Sequence, residues 1–197
     1  MKAAIRTGLT GTTYAFSESR ALPAWDAEGK NAEDVYLKVN AAGMNPVDYK
    51  APKLMMGPIY GIDCCGTIEK VGSKVKELQV GDVVIGPAKS GSMAEFATAS
   101  ASKIAKLSTG WSVEEGAAIP VAYDTAMTAF DEAGMNESYK NSPDKPPVDS
   151  ILVIGASGGC GVAALHLAKG MGIKRIVGIC SSKNVCMTLR AFLGSLT

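Results

Sequence analysis

The chain has 197 residues, of which 47% are hydrophobic and 20% charged, and this is the composition of a folded globular protein with one or two domains. Its formal net charge of +1 provides no basic field for a nucleic acid, and no apolar stretch approaches the roughly 18 residues of a membrane-spanning helix. Because the N-terminal MKAAIR also lacks the apolar segment of a signal peptide, we expect a soluble protein of the cytoplasm or an organelle, with no integral membrane segment and no nucleic-acid partner.

The first 105 residues predict a β-rich domain. Residues 35–39 (VYLKV) and 66–72 (GTIEKVG) alternate with a period of two, and residues 83–85 (VVI) lie between two glycine-containing turns. Short strands that are separated by turn residues at close intervals are typical of a compact barrel or sandwich.

The cysteines give little support to a disulfide framework or a metal site. They are odd in number and form no CxxC pair, which favours a reducing compartment. They are Cys64, Cys65, Cys160, Cys180 and Cys186. Cys64 and Cys65, beside Asp63, form the one cluster to consider as metal ligands, but adjacent strand residues point to opposite faces of a sheet. We therefore expect two small buried side chains and no metal.

From Ser112 onward the pattern becomes helical. Ser112 and Glu115 have the spacing of a capping box, in which each side chain satisfies a free backbone N–H. Glu114 and Glu115 invite an acid–base role, but the first turn of a helix favours carboxylates on structural grounds. Apolar and small residues then continue to Phe130, and the polar, proline-containing residues 131–149 predict a surface loop.

A strand–helix–strand unit follows the predicted loop. Residues 151–154 (ILVI) and 175–180 (RIVGIC) read as parallel strands buried on both faces, and residues 161–171 between them read as a helix. The intervening turn, 155–161 (GASGGCG), places Ala156, Gly158 and Gly161 at the three glycine positions of a dinucleotide-binding fingerprint. Such a turn lets the backbone and the helix N-terminus bind a pyrophosphate, although a plain strand-to-helix turn is the structural alternative.

The end of the second strand indicates which dinucleotide binds. An NAD enzyme usually carries an acid there for the ribose 2′-hydroxyl. Here the strand is followed by Ser181, Ser182 and Lys183, whose hydroxyls and ammonium suit a 2′-phosphate, so we expect NADPH. The alternative is that Lys183 is an ordinary exposed lysine.

Several segments, taken in order, are similar to a known family. They are residues 41–50 (AAGMNPVDYK), 61–72 (GIDCCGTIEKVG), 81–84 (GDVV), 93–96 (MAEF), 117–120 (AAIP) and 125–126 (TA). Together with the glycine-rich turn, they resemble the zinc-free quinone oxidoreductase branch of the medium-chain dehydrogenase/reductase superfamily. Zinc-dependent relatives have Gly-His-Glu where this chain has Gly61-Ile62-Asp63, so the resemblance also implies no zinc.

The resemblance implies an α/β plus β fold. A GroES-like β-barrel catalytic domain would occupy residues 1–125, and the start of a Rossmann domain with a parallel βαβ unit would occupy residues 126–197. The implied activity is hydride transfer from NADPH to a quinone or an α,β-unsaturated carbonyl, with the cofactor supplying the hydride. A homodimer is implied for a full-length form.

The resemblance also assigns site residues. Asn45 and Tyr49 would lie near the nicotinamide, where Tyr49 would hydrogen-bond the cofactor or donate a proton to the substrate. The alternative for Tyr49 is a packing residue, and Asp48 is expected to hold local structure. Thr125 matches a cofactor contact, and His166 is expected to be a partly exposed helix residue. The phosphate-binding residues would be Ser157, Gly158, Gly159, Cys160 and Gly161, followed by Ser181, Ser182 and Lys183 at the 2′-phosphate.

The C-terminal sequence departs from the family. A Rossmann domain has six strands, whereas this sequence ends soon after the second, and residues 186–194 (CMTLRAFLG) match the family's next helix only with a slip of one residue. We therefore hypothesise a truncated gene model, a splice variant or a frameshift. The 197 residues alone are expected to retain at most weak affinity for the adenosine-phosphate half of NADPH.

Three further functions remain open at this point. The chain resembles enzymes, but a non-catalytic, truncated or crystallin-like binding protein would use the same fold, because fold does not fix function. An enoyl-thioester reductase and a zinc alcohol dehydrogenase are the other two, and the missing ligands count against the second.

Overall fold

The computed structural model describes residues 1–8 and 13–184. The chain divides into two compact units, Met1–Val121 and a second that begins at Ala122. Residues 186–194, including Cys186, lie outside the described residues. In sequence, this segment resembles a helix of the family. None of the described helices combines the length and the apolar character needed to cross a bilayer.

The first unit is built mainly from antiparallel strands. Five of them form a sheet in the order β6-β3-β4-β5-β7, and β1 pairs with β2 in a second sheet. The strands are β1 (Ala3–Arg6), β2 (Tyr14–Ser17), β3 (Asp34–Ala42), β4 (Asp63–Val71), β5 (Val83–Pro87), β6 (Phe96–Ser100) and β7 (Ala105–Lys106). The predicted β-rich domain is confirmed, and β3, β4 and β5 contain the three runs from which it was predicted.

The core of the first unit lies on one face of the five-stranded sheet. Alternation along β3 and β4 sends Val35, Leu37 and Ile68 to the same side, where they are fully buried with Val84. Burial of such aliphatic side chains contributes about 1.5–3 kcal/mol each to folding. This core is the main source of stability for the sheet that carries the adjoining loops.

The described part of the first unit also contains the short α-helices α1 (Pro46–Lys50), α2 (Lys53–Met56) and α3 (Val113–Ala117), and a 3₁₀ helix at Ala101–Lys103. The predicted capping box at α3 is confirmed, since the Glu115 N–H donates to Ser112 Oγ at 3.2 Å and the Ser112 N–H donates to Glu115 Oε2 at 2.8 Å. Glu114 and Glu115 thus lie in a capped first turn, where carboxylates have a structural reason to be.

The second unit contains a parallel βαβ motif. The motif consists of β8 (Ser150–Ile154), α6 (Gly159–Gly170) and β9 (Arg175–Ile179). It is preceded by α4 (Pro120–Glu132), which starts at the end of the first unit, and α5 (Met135–Asn141), and it is followed by a 3₁₀ helix (Ser182–Asn184). The strands β8 and β9 pair in parallel with Ile151 opposite Ile176. The predicted strand–helix–strand order is confirmed.

The sequence predicted a surface loop for the whole of residues 131–149, and this prediction is wrong for part of the segment. They include the end of α4 and the whole of α5, where Met135 and Asn136 are buried. The Asn136 amide donates to the Met127 carbonyl at 2.9 Å and to Asp131 Oδ1 at 2.8 Å. This side chain anchors α5 to α4. A polar composition alone does not reveal such a contact between helices, and the sequence therefore predicted a loop.

The parallel strands are not buried on both faces within the described residues. Helix α6 covers one face, where Val153 and Leu165 are buried. The opposite face exposes Leu152 (56%), Ile154 (78%), Val177 (54%) and Ile179 (50%). The sequence prediction of two-sided burial is therefore wrong for this part of the chain, because one helix can cover only one face of a two-stranded sheet.

Candidate functional site

The first unit contains a largely apolar cavity of about 770 Å³. Aromatic rings and thioethers form much of its wall. The lining residues are Ala4, Tyr14, Met44, Asn45, Pro46, Asp48, Tyr49, Tyr60 and Met93. Its size is that of a small-molecule site, and flat aromatic walls suit a planar apolar ligand.

Asn45 enters this cavity as the N-cap of α1. Its backbone N–H donates to Asp48 Oδ2 at 2.7 Å, and its side-chain amide donates to Asp63 Oδ2 at 2.9 Å. The same Asp63 oxygen accepts the Val121 N–H at 3.0 Å. Asn45 is thus held from two sides, and Asp48 performs the structural role that the sequence gave it.

Arg6 holds the other side of the cavity wall. Its guanidinium is buried and donates to the carbonyl oxygens of Asp48 at 2.6 Å and Ile59 at 2.7 Å. It also lies 4.0 Å from the centre of the Tyr60 ring, a cation–π distance. Burial raises the pKa of the Asp48 carboxyl above its ordinary value, while the Asn45 N–H and the positive charge of Arg6 oppose that rise.

Tyr49 presents its phenol at the cavity. The residue is 51% exposed, and its hydroxyl makes no hydrogen bond to any residue that the structure describes. Lys50 Nζ lies 6.0 Å from the centre of its ring. A phenol with an uncommitted hydroxyl in an apolar cavity is able to donate a hydrogen bond or a proton to a bound oxygen atom. A tightly packed tyrosine, the alternative from sequence, does not match this exposure.

The Asp63–Cys64–Cys65 cluster does not suit a metal. Cys64 donates to the Gly86 carbonyl at 3.5 Å, and burial raises the pKa of its thiol to about 12. Cys65 is also buried, and burial raises its thiol pKa as well. Cys64 packs in the aliphatic core of the sheet, whereas the Cys65 sulfur lies close to Gly116 of α3, so the two sulfurs face opposite sides of β4. Among residues 1–8 and 13–184, no group of three or more His, Cys, Asp or Glu side chains is arranged to hold an ion.

In the second unit, the glycine-rich turn is built for close backbone approach. Gly155 has a φ of +77°, and the N–H groups of Gly155 and Ala156 both donate to the Ile179 carbonyl, at 2.9 and 3.0 Å. A Cβ at Gly161 would overlap the Gly155 carbonyl oxygen, and a Cβ at Gly178 would lie 2.8 Å from the Ala156 Cβ. Glycine is therefore required at Gly161 for α6 to start against the turn.

The turn leads directly into the N-terminus of α6. Gly158 is the N-cap and lacks a side chain to satisfy the free N–H groups of the first turn, while Gly159 and Cys160 are exposed. Free N–H groups together with the helix dipole are able to attract an anion. Ser157, Gly158, Gly159, Cys160 and Gly161 are thus contiguous at one end of α6.

The residues predicted to bind the 2′-phosphate follow β9. Ser181, Ser182 and Lys183 are all exposed, and no acid accompanies them between Cys180 and Asn184. Asn184, which sequence reasoning did not single out, donates from its side-chain amide to Ser157 Oγ at 3.2 Å. The only signal for it was its position directly after the Ser-Ser-Lys segment.

The remaining predicted residues fall elsewhere in the second unit. Thr125 is exposed on α4. His166, on α6, is half-buried, and its Nδ1 lies 2.8 Å from the hydroxyl of Tyr123. Burial raises the pKa of the Tyr123 phenol above its ordinary value. The structure thus places Asn45 and Tyr49 together in the first unit and the other predicted site residues in the second.

Comparison with known proteins adds a family assignment for part of the chain. Residues 31–117 match the Alcohol dehydrogenase GroES-like domain family. A 2-methylene-furan-3-one reductase of Solanum lycopersicum is 33% identical over 153 residues, 70% of this chain and 37% of the relative. The chloroplastic quinone-oxidoreductase homolog of Spinacia oleracea is 32% identical over 165 residues, 78% of this chain and 49% of the relative.

A protein described as zinc-type alcohol dehydrogenase-like, from Staphylococcus epidermidis, is 32% identical over 159 residues, 77% of this chain and 46% of the relative. Among solved structures, a mycobacterial protein complexed with NADPH superposes with a TM-score of 0.75 at 24% identity, covering 100% of this chain and 58% of that one. The chain thus spans half the length, or less, of the curated relatives that it matches.

Proposed function

We propose that this protein is an NADPH-dependent oxidoreductase of the medium-chain dehydrogenase/reductase superfamily, because residues 31–117 match the Alcohol dehydrogenase GroES-like domain and the chain is similar to a quinone-oxidoreductase homolog. Its proposed reaction is hydride transfer to a quinone or an α,β-unsaturated carbonyl without zinc. The observation that carries this proposal is the Gly155–Gly161 turn, since it leads from a parallel strand into the N-terminus of α6, where the N-cap Gly158 has no side chain to satisfy the free N–H groups.

The segment after β9 is proposed to select NADPH over NADH by binding the 2′-phosphate that only NADPH carries. Ser181 and Ser182 offer hydroxyl donors and Lys183 a positive charge, whereas an acidic residue that would bind a ribose 2′-hydroxyl is absent between Cys180 and Asn184. Hydrogen bonds to a charged group contribute about 1.5–3 kcal/mol. The NADPH complex of the mycobacterial protein of like fold supports the choice of cofactor.

The apolar cavity of the first unit is the proposed substrate site. The rings of Tyr14 and Tyr60, 6.4 Å apart and edge to face, together with Met44 and Met93, form walls suited to a planar conjugated carbonyl compound. The relatives from Solanum lycopersicum and Spinacia oleracea are named for an enone and a quinone, which are both of this chemical class.

Tyr49 and Asn45 are the proposed functional side chains of that cavity. Bound NADPH supplies the hydride. The Tyr49 hydroxyl then donates a hydrogen bond or a proton to the substrate as negative charge develops on it. Asn45, fixed by Asp63 at 2.9 Å, keeps α1 and therefore Tyr49 in place.

Zinc independence is proposed from the chemistry of the residues. Cys64 is buried in the aliphatic core of the sheet, whereas the Cys65 thiol lies close to Gly116 of α3. Two thiols on opposite faces of a strand are not placed to share one zinc ion.

Cofactor binding tests the proposal first. The 197-residue chain is titrated with NADPH and NADH and each dissociation constant is measured by calorimetry. We expect NADPH to bind at least about 10-fold more tightly than NADH, as a charge-assisted contact to the 2′-phosphate requires. Equal affinities would contradict the cofactor assignment, and no binding of either dinucleotide would overturn the proposal.

Turnover distinguishes an enzyme from a binding protein. NADPH oxidation is followed at saturating 1,4-naphthoquinone. The 197-residue chain is expected to turn over slowly because its affinity for NADPH is weak, and the Tyr49→Phe variant is expected to be slower still, by up to about 100-fold, with unchanged NADPH affinity. Tyr139→Phe, in the second unit, is the matched control and should leave the rate unchanged. Binding of NADPH without turnover would favour the crystallin-like alternative, and turnover of an enoyl thioester but not the quinone would favour an enoyl-thioester reductase.

A further inference from the structure

Asn184 joins two parts of the chain that the proposed function uses separately. Its side-chain amide donates to Ser157 Oγ at 3.2 Å across 27 residues of sequence. Its own backbone N–H donates to the Ser181 carbonyl at 2.9 Å, which fixes the 3₁₀ turn after β9. The segment proposed to contact the 2′-phosphate is therefore tied to the turn proposed to contact the pyrophosphate.

The direction of this hydrogen bond has a chemical consequence. The Asn184 NH₂ group is a donor only, so Ser157 Oγ must act as the acceptor in this contact. The hydroxyl proton of Ser157 is then directed away from Asn184 and remains a donor. A phosphate oxygen accepts hydrogen bonds. A hydroxyl at the N-terminus of α6 whose proton is free to donate is therefore suited to bind a phosphate.

We propose that Asn184 is a positioning residue for phosphate recognition, which holds the hydroxyl of Ser157 as a hydrogen-bond donor and couples the glycine-rich turn to the Ser181–Lys183 segment. This inference rests on the proposed NADPH site. Asn184 itself touches Ser157 rather than the ligand. Its effect on nucleotide affinity therefore depends on the presence of the Ser157 hydroxyl.

A double-mutant cycle tests that dependence. The full 197-residue chain and its Asn184→Ala, Ser157→Ala and doubly substituted variants are titrated calorimetrically with adenosine 2′,5′-bisphosphate. Asn184→Ala is expected to weaken binding about 5-fold, the value of one oriented hydrogen bond. In the Ser157→Ala background the same substitution is expected to change affinity by less than about 2-fold, because there is no hydroxyl left to orient.

Asn184→Asp provides a second, independent variant. A carboxylate at this position accepts a hydrogen bond from the Ser157 hydroxyl, so this hydroxyl can no longer donate to a phosphate. The substitution also adds negative charge close to the proposed phosphate site. The expected loss is larger than that of Asn184→Ala, more than about 10-fold. Asn141→Asp, an exposed substitution on α5, is the charge-matched control and should leave the affinity unchanged.

The outcomes separate this inference from the function on which it rests. If the unsubstituted chain binds adenosine 2′,5′-bisphosphate and Asn184→Ala binds it equally well, the inference falls and the proposed function stands. An equal loss in both backgrounds would assign Asn184 a merely structural role and would also overturn it. If the unsubstituted chain binds neither this probe nor NADPH, both proposals fail.

Discussion

The two units differ in how far the described residues satisfy their own hydrophobic pattern. In the first unit, Val35, Leu37 and Ile68 alternate along antiparallel strands and are almost completely buried. In the second, Leu152 and Ile154 are as apolar as those residues but remain 56% and 78% exposed. The same type of side chain therefore contributes to stability in one unit and faces solvent in the other.

This difference teaches how to read a continuous apolar strand. A strand with alternating apolar residues has one buried face, and a single packed layer is enough to cover it. A continuously apolar strand has two apolar faces, and two layers are needed to bury both. Among the described residues of the second unit, the hydrophobic clusters of β8 and β9 lie on the face covered by α6, where Phe130 and Met135 also join Ile151 and Ile176. Apolar sequence in a parallel strand thus predicts the strand more reliably than it predicts the burial of each side chain.

The largest expected effect tests this contrast directly. Leu37→Ala removes a fully buried side chain and should lower the free energy of unfolding by about 2–5 kcal/mol, whereas Leu152→Ala should change it by less than about 0.5 kcal/mol. Urea unfolding followed by circular dichroism measures both, and the fluorescence of Trp25, whose ring packs on Tyr36 at 5.8 Å, reports on the first unit. Similar losses for the two variants would break the comparison, since Leu152 would then be buried in solution.

An intermediate effect is expected within the second unit. Gly161→Val places a side chain against the Gly155 carbonyl and should destabilise the unit by about 1–3 kcal/mol and abolish nucleotide binding. Gly170→Ala, at the end of the same helix and in open space, is the control and should be neutral or slightly stabilising. Thermal unfolding and NADPH titration measure the two consequences. A Gly161→Val variant that binds normally would show that the turn is only a structural connection.

The smallest effect concerns the buried carboxyl of the first unit. Because burial raises the folded-state pKa of Asp48, the folded protein holds this proton more tightly than the unfolded chain does. The stabilising contribution is therefore complete at low pH and is lost as the pH rises from the ordinary carboxyl range through the folded-state pKa. Relative to Asp48→Asn, the unsubstituted chain should lose stability across that window.

Chemical unfolding of both proteins at a series of acidic pH values measures this difference. Asp144→Asn, an exposed substitution in the second unit, should leave the pH profile unchanged. A profile for Asp48→Asn that runs parallel to that of the unsubstituted chain would show that Asp48 keeps its ordinary pKa in the folded state.

The sequence predicted the elements that depend on local pattern and missed those that depend on distant contacts. Alternation identified β3, and the Ser112–Glu115 spacing identified the cap of α3. The burial of Arg6 was not predictable, because it requires carbonyl groups contributed by Asp48 and Ile59, 42 and 53 residues away.

The candidate site divides in the same way. The spacing of glycines located the turn, and the absence of an acid after β9 indicated the choice of dinucleotide. The link from Asn184 to Ser157 arises only when β8 and β9 pair in parallel, so no local pattern contains it. Similarly, Tyr49 could be named from the resemblance, but its exposure at the cavity depends on how α1 is held.

The carbonyl of Ile179 accepts the N–H groups of both Gly155 and Ala156, and this has a consequence for local opening. Neither amide proton can exchange with solvent deuterium until the end of β9 separates from the turn. The exchange rates of both amides therefore measure how often the second strand detaches from the first. A ligand that holds the two strands together would slow both amides by the same factor, whichever chemical group it used to bind.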